Sequence, residues 1–344
     1  MRRYLLGRLL QTLVVVFLVT TASFVLVHLA PGEPFASDDP RVTETMRERW
    51  RAEFGLDRPL GEQYVRYIGN AARGNLGFSF SLHRPVTDAI ADALPRTLLL
   101  VGVGGGLALL LGIALGVYQS THRGTVPERA ASGASLLAYS LPDFWVAIVL
   151  LLLFSNWIPV LPAGGVIDPV MHDYMGPWDR LIDRVRHLIL PAGALALVTA
   201  GGIARYQRAA LLEVMEADFM RTARAKGLTE RATILRHGLR NALLPVITIV
   251  GLMLPMLVGG AVFVERVFSW NGMGLLAVNA IGARDYPLIT ASVAVGGVLV
   301  AAHLVEGGAL AEAGDVLVLA GALVAAPGVV RRGDAGDVLV AQLA

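Results

Sequence analysis

Long apolar runs dominate the pattern of hydrophobic and polar positions along this chain. Six of them are close to the ~20 apolar residues that a helix needs to cross ~30 Å of hydrocarbon, and the sixth is at the short limit. They occupy residues 9–29, 97–118, 136–158, 188–206, 243–264 and 288–304. The pattern predicts an all-α integral membrane protein with six transmembrane helices, and residues 31–96 form a mixed polar segment between the first two.

The first apolar run could also be a secretory signal peptide, because Arg2, Arg3 and Arg8 lie at its start. However, a signal peptide has an apolar region of roughly 7–15 residues followed by a small-residue cleavage site. This run is longer, and the sequence Ala-Pro-Gly at 30–32 is a poor cleavage site. We therefore interpret the run as a retained first helix.

Arginines define the expected orientation of these helices. They precede the first run, and Arg123 and Arg129 lie between the second and third runs. The loop between the fourth and fifth runs carries six arginines and one lysine against four acids. Cytoplasmic loops of membrane proteins are enriched in such cations, so we predict a cytoplasmic N-terminus and an extracytoplasmic segment 31–96.

Composition excludes several classes of function. Hydrophobic residues make up 55% of the chain and charged residues 16%, against about 25% charged in a typical soluble domain. The sequence has no cysteine, which rules out disulfides and cysteine metal sites. Its single lysine, Lys226, stands between Ala225 and Gly227, so the chain has no phosphate-binding P-loop.

Membrane enzymes and ion-coupled carriers also fit poorly. The histidines are scattered and no Gly-x-Ser-x-Gly elbow occurs, which argues against a zinc enzyme and a serine hydrolase. The centres of the apolar runs hold almost no titratable residue, whereas proton or sodium coupling needs such groups within the membrane. An ion-coupled secondary transporter or a channel remains the alternative function.

Two acids interrupt the apolar runs. Asp143 follows Ser140 and Pro142, an order typical of a helix start. We interpret Ser140 as the cap and Asp143 as serving the positive end of a broken helix, with contact to substrate or a proton as the alternative. We expect Glu265, at the end of the fifth run, to be interfacial.

The cytoplasmic loop carries signals for two short helices. Asp218 is a good N-cap and Gly227 a good stop, so a helix of about two turns is predicted between them. Thr229 can cap a second helix running through Ile234 toward Leu239. The pattern fits either a compact knob that binds a partner or a basic loop that only sets the topology.

One face of the first short helix brings several of these residues together. Phe219, Thr222, Ala223 and Lys226 recur at helical spacing. In the knob interpretation, the small residues Ala223 and Gly227 would let a partner backbone approach closely.

The loop resembles the "EAA" loop of ABC importer permeases. Residues 221–227 read Arg-Thr-Ala-Arg-Ala-Lys-Gly, and residues 237–245 read His-Gly-Leu-Arg-Asn-Ala-Leu-Leu-Pro. This version is similar to that of the dipeptide, oligopeptide and nickel group. Further motifs of that group lie at 54–60, 74–80, 94–97, 140–145, 161–165, 264–268 and 272–274. The large segment between the first two apolar runs and the arginine-rich N-terminus resemble the first, "B-type", permease subunit.

The resemblance implies a type I importer permease without an ATPase site, catalytic residue, metal or cofactor of its own. Its expected partners are a homologous second permease, two ATP-binding subunits that hold ATP and Mg²⁺, an extracytoplasmic substrate-binding protein and membrane lipid, with no nucleic acid. The cargo would be di- or oligopeptides or a related small solute, and the location the bacterial inner membrane. The residues expected to couple to the ATPase are Asp218, Arg221, Thr222, Ala223, Ala225, Lys226, Gly227, Leu228 and Thr229.

These expectations divide the chain into four parts. Residues 1–30 form the first transmembrane helix, and residues 31–96 the extracytoplasmic segment. Residues 97–305 form a five-helix core with the coupling loop at 207–242. The likeness to the family stops near Val300, and residues 306–344 form an atypical tail whose composition fits disorder or a surface helix.

Overall fold

The computed structural model describes residues 2–30 and 44–307, which are mostly helical. The helices are α1 Arg2–Leu29, α2 Glu44–Phe54, α3 Leu60–Ala71, α4 Val86–Thr121, α5 Val126–Ser140, α6 Asp143–Leu151, α7 Pro177–Met215, α8 Asp218–Ala225, α9 Glu230–Thr233, α10 Leu239–Val267, α11 Met273–Gly282 and α12 Tyr286–Gly307. Strands β1 Phe78–Ser79 and β2 Arg84–Pro85 form an antiparallel hairpin. Short turns of π-helix lie at Leu152–Trp157 and Ile234–Gly238, and a 3₁₀ turn at His172–Tyr174. The predicted tail from residue 308 onward lies outside the described residues.

Within the described residues, three helical segments are long and apolar enough to cross a membrane. They are Leu10–Leu29, Val86–Thr121 and Pro177–Met215, and the bent pair of Val126–Ser140 with Asp143–Trp157 adds a fourth if it is one span. Helices α4 and α7 begin at Val86 and Pro177, well before the predicted residues 97 and 188. Their first turns are polar, so hydropathy alone does not reveal that they are helical.

The third apolar run is broken into two helices. Helix α5 ends at Ser140 and α6 begins at Asp143, with a bend of 105° between them. The expected cap is wrong: Pro142 occupies the N-cap position, and the Ser140 hydroxyl donates back to the Leu136 carbonyl oxygen at 2.8 Å. Pro142 disfavours helical backbone at Leu141, which is extended with ψ of 139°. Asp143 lies in the first turn of α6 as expected, where a negative charge interacts favourably with the partial positive charge of the helix N-terminus.

Contacts divide the chain into two compact units, Met1–Ala93 with Leu276–Ala344, and Leu94–Leu275. In the second unit, α4 and α7 pack closely through glycines of α4. A Cβ at Gly112 would lie 2.6 Å from the Ile203 Cβ, and one at Gly116 would lie 2.6 Å from the Gln207 Cβ. The residue numbers of the contacting positions rise together along the two helices, so α4 and α7 run parallel.

The first unit is held together by α1 and α12. Val19 of α1 packs with Val293 and Val300 of α12 in a buried apolar cluster. The buried Asp285 carboxylate precedes α12 and accepts hydrogen bonds from the Ser79 hydroxyl at 2.5 Å and from the Ser81 amide at 2.9 Å. Asp285 therefore fixes the β1–β2 hairpin at the start of α12.

Glu265, which we expect to be interfacial, is enclosed by residues of its own chain. It has 0% of its surface exposed and accepts hydrogen bonds from the Thr97 hydroxyl at 2.5 Å and the Leu275 amide at 2.9 Å. The Thr97 oxygen in turn accepts from the Met273 amide at 2.7 Å. Glu265 thus holds the first turn of α11 on the ends of α4 and α10, an arrangement that depends on residues far apart in the sequence.

Candidate functional site in the loop between α7 and α10

Helix α8 starts one residue away from the predicted position. Ala217 occupies the N-cap, and Asp218, the predicted cap, is the first residue of the helix. Its carboxylate instead accepts a hydrogen bond from Arg221 Nη1 at 3.2 Å. A carboxylate in the first turn still interacts favourably with the partial positive charge of the helix N-terminus.

The end of α8 is formed as the sequence predicts. The Gly227 amide donates to the Arg224 carbonyl oxygen at 2.9 Å, and the Lys226 amide donates to the Thr222 carbonyl oxygen at 3.1 Å. Gly227 has φ of +80°, a left-handed conformation that glycine adopts without a steric penalty. It redirects the chain toward α9.

Thr229 caps the second helix, confirming its predicted role. Its hydroxyl oxygen accepts a hydrogen bond from the Ala232 amide at 3.3 Å. Helix α9 covers only Glu230–Thr233, then a π-helical turn leads directly into α10. The second helix therefore does not end near Leu239 but continues into the long apolar helix that follows.

A bidentate ion pair joins α8 to α9. Arg224 Nε donates to Glu230 Oε2 at 3.1 Å and Arg224 Nη2 donates to Oε1 at 3.0 Å. The hydrogen bond from Arg224 lowers the pKa of the Glu230 carboxyl, and the same bond raises the pKa of Arg224. This fork-to-fork pairing fixes geometry as well as charge, so the angle between the two short helices is set from within the loop.

The inner face of α8 packs on its own chain. Met220 is fully buried, and its terminal methyl group and a Leu211 methyl group lie 3.2 and 3.3 Å from where a Cβ at Gly238 would stand. Ala223 is only 7% exposed. Its small side chain lets α8 sit close to this chain's own helices, so the expectation that it opens space for a partner is wrong.

The outer face of α8 and the following turn are exposed. Phe219 is 44% exposed and Leu228 38% exposed. The other exposed residues of this face are Asp218, Arg221, Thr222, Ala225, Lys226, Gly227 and Thr229. The structure thus brings all predicted coupling residues except Ala223 onto one surface, which we call the knob face, and adds Phe219. An exposed aromatic residue flanked by polar and charged groups is typical of the centre of a protein interface.

A second polar cluster lies near the other end of α7. The Asp183 carboxylate contacts Nδ1 of His172 at 2.6 Å and Nδ1 of His187 at 3.1 Å, and it accepts from the Asp168 amide at 3.0 Å. In the part of the chain that the structure describes, no group of three or more such side chains is arranged to hold a metal ion. The cluster closes the loop 158–176 onto α7.

The comparisons with known proteins agree on one family. Residues 108–312 match the family described as binding-protein-dependent transport system inner membrane component, and residues 1–101 match its N-terminal family. The first match extends past Val300, so the expected end of the likeness there was too early.

Individual relatives cover most of the chain. The oligopeptide transport system permease protein AppB of Bacillus subtilis is 38% identical over 302 residues, covering 87% of this chain and 94% of that protein. The glutathione transport system permease protein GsiC of Escherichia coli is 36% identical over 294 residues, covering 85% and 91%. A chain of the inward-facing MetNI methionine ABC transporter has a TM-score of 0.49 and 17% identity, covering 67% of this chain and 96% of that chain.

Proposed function

This chain belongs to the family of binding-protein-dependent transport system inner membrane components and is a permease subunit of an ABC importer; from this premise, we propose that it carries di- and oligopeptides. AppB is named for oligopeptides, and GsiC is named for glutathione, which is itself a tripeptide. The name of AppB supports this proposal, whereas the name of GsiC leaves glutathione open. Glutathione or another small solute would be the competing cargo.

The membrane topology that we propose has six spans with the N-terminus in the cytoplasm. The spans are α1, α4, the bent pair α5–α6, α7, α10 and α12. Under this proposal residues 31–96 are extracytoplasmic, residues 97–305 form the permease core, and the loop at 207–242 is cytoplasmic. The distribution of arginines and lysine along the sequence supports this orientation. The parallel course of α4 and α7 is consistent with it, because two spans separated by one other span cross the membrane in the same direction.

The knob face is the surface that we propose contacts the ATP-binding subunit. The observation that carries this proposal is the geometry of the loop: the partly exposed Arg224–Glu230 pair joins α8 to α9, and the residues of the knob face remain exposed. A rigid protrusion can transmit a rigid-body movement to the helices it continues into. The two ATP-binding subunits would bind ATP and Mg²⁺, a homologous second permease would complete the pathway, and a binding protein would deliver peptide from the extracytoplasmic side.

Substitution of Phe219 tests this assignment in the assembled importer. We expect Phe219→Ser to lower both co-purification of the ATP-binding subunits and ATP-dependent peptide uptake by at least about tenfold, since a central aromatic anchor contributes strongly to an interface. Leu235→Ser is the matched control, because Leu235 is 48% exposed and lies in the same loop outside the knob face.

Three outcomes would contradict the proposal. Equal effects of the two substitutions would show that the knob face does not contact the ATP-binding subunit. Uptake in vesicles that proceeds without ATP would favour an ion-coupled transporter or a channel. ATP-dependent uptake of a non-peptide solute, with no competition from dipeptides, would overturn the peptide assignment alone.

A further inference from the structure

A cavity of about 310 Å³ lies within the first unit. It is bordered by the end of α1, the turn before α3, α3 itself, the β1–β2 hairpin and the start of α12. Its lining combines aromatic and polar side chains: Phe24, His28, Arg58, Gln63, Arg66, Tyr67, Asn70, Phe78, Phe80, Tyr286 and Thr290, together with Gly55, Leu56, Gly77 and Pro287.

Two glycines with positive φ shape the walls of this cavity. Gly77 has φ of +94°, and a Cβ there would stand 3.3 Å from the Pro287 Cβ, so the hairpin lies against α12. Gly55 has φ of +68° and turns the chain toward Arg58. The Gln63 side-chain amide donates to the Arg58 carbonyl oxygen at 2.8 Å, which fixes that turn on α3.

Aromatic rings form one side of the cavity. The Phe24 ring stacks on His28 with centroids 4.0 Å apart and lies 5.8 Å from the Tyr67 ring. The His28 ring is in turn 4.9 Å from the Tyr286 ring. Such a wall accommodates an apolar or aromatic side chain through stacking and edge contacts.

Two guanidinium groups lie on the other side of the cavity. Arg58 and Arg66 both bind the same oxygen of Glu62, at 2.5 and 3.0 Å. Guanidinium groups favour carboxylates because their paired N–H groups match the two oxygens.

Tyr67 adds a polar group without a partner. Its hydroxyl is buried and makes no hydrogen bond with any residue that the structure describes. Burial raises the pKa of this phenol, so it stays neutral at physiological pH and is able both to donate and to accept a hydrogen bond. A buried polar group normally has a partner, but this hydroxyl has almost no accessible surface, so the ring of Tyr67 and not its hydroxyl lines the cavity.

We propose that this cavity binds the carboxyl end of a short peptide, with the terminal side chain against the aromatic wall and the carboxylate near Arg58 and Arg66. The volume is at the lower end of ligand pockets, which suits one or two amino-acid residues rather than a long chain. This inference rests on the proposed transport of peptides and adds a site for the cargo on this subunit.

Binding to the purified full-length chain in detergent tests the site without the other subunits. The probe is the dipeptide Ala-(4-fluoro)Phe, followed by fluorine NMR and compared with the same dipeptide carrying a C-terminal amide. We expect the acid to bind at least tenfold more tightly than the amide. Arg66→Gln should remove that preference. Arg73→Gln is the matched control, because Arg73 is exposed just beyond α3 and does not line the cavity.

The comparison of acid with amide on the unmodified chain keeps the test decisive even if a variant fails to fold. Equal binding of both probes, or no binding, overturns the proposal, as does displacement of both probes by phosphatidylglycerol, which would assign the cavity to a lipid phosphate. Uptake of the dipeptide by the whole importer separates the two proposals. Uptake without binding to this chain would overturn the cavity site alone. Binding of the acid without any peptide uptake would overturn the transport proposal alone.

Discussion

At the scale of single residues, Arg224 and Glu230 set the geometry of the loop between α7 and α10. Arg224 lies in α8 and Glu230 begins α9, so their pairing spans the turn at Gly227. Both side chains are partly exposed, and exposed pairs contribute only about 0.2–1 kcal/mol. The pair therefore sets geometry more than it stabilises the fold, and its loss would loosen α8 without unfolding the protein.

The ion pair predicts a pH dependence confined to acid conditions. Because the folded-state pKa of Glu230 is lowered, its contribution is present above the ordinary glutamate pKa of about 4.3. It is lost as the pH falls through the lowered folded pKa. A spin label at Ala225→Cys should stay immobile above the ordinary glutamate pKa of about 4.3 and gain mobility only as the pH falls below it. In Glu230→Gln the label should be more mobile at pH 7, with little further change in acid.

Asp218→Asn is the control for this experiment. Asp218 pairs with Arg221 in the same helix, but both side chains are largely exposed, so we expect the label to behave as in the unmodified loop. Identical pH profiles for Glu230→Gln and the parent would contradict a role of the ion pair in holding α8.

Local signals were predictable from sequence at this scale, whereas contacts between distant residues were not. Gly227 and Thr229 act within a few residues of their own position, so their turn and cap follow from residue type. Ala223 and Glu265 have surroundings set by distant segments: a periodic pattern shows that Ala223 shares a face with Phe219, but not which edge of that face is buried. The hydrogen bond between Glu265 and Thr97 joins positions 168 residues apart.

At the scale of elements, the parallel packing of α4 on α7 depends on missing side chains. A Cβ at Gly112 would meet Ile203 at 2.6 Å, whereas one at Gly102 on the same helix would meet nothing within 4 Å. Small residues let helix backbones approach closely in membranes. The close approach at Gly112 leaves no room for even one added methyl group without movement of α7.

Alanine substitutions at the two glycines should therefore have opposite effects. We expect Gly112→Ala to destabilise the detergent-purified protein by about 1–3 kcal/mol, the usual cost of overpacking. Gly102→Ala should be neutral or stabilising by up to about 1 kcal/mol, because alanine favours helix more than glycine does. Thermal unfolding followed by circular dichroism measures both. A lower midpoint for Gly102→Ala than for Gly112→Ala would show that the α4–α7 contact is not limited by these glycines.

The breaks between elements were visible in the sequence, but the helix ends were not. Pro142 marks the bend between α5 and α6 because a proline restricts the residue before it. The start of α7 at Pro177 was missed because its first turns carry Asp179, Arg180 and Asp183. These residues are compatible with a helix but not with hydrocarbon, so an apolar window detects the buried part of a long helix and not its polar extension.

For the whole molecule, the direction of each span depends on how the bent pair α5–α6 is counted. If the pair is one span, three spans separate the turn after α3 from the knob face, and the two lie on opposite sides of the membrane. If α5 and α6 each cross, four spans separate them and they lie on the same side. The positive-inside rule favours the first arrangement, with the knob face in the cytoplasm.

Because the natural sequence has no cysteine, single cysteines report this arrangement directly. We expect Ala72→Cys and Ala283→Cys, both at exposed positions, to react with a membrane-impermeant maleimide in intact spheroplasts. Ala225→Cys on the knob face should react only after the membrane is permeabilised, because the proposed topology places the loop between α7 and α10 in the cytoplasm. If α5 and α6 each crossed the membrane, Ala72→Cys and Ala225→Cys would be labelled from the same side and Ala283→Cys from the other, and this pattern would contradict the single bent span. Labelling of Ala225→Cys alone would show that the protein has the opposite orientation in the membrane. The knob face would then lie outside the cell, where no ATP-binding subunit could contact it.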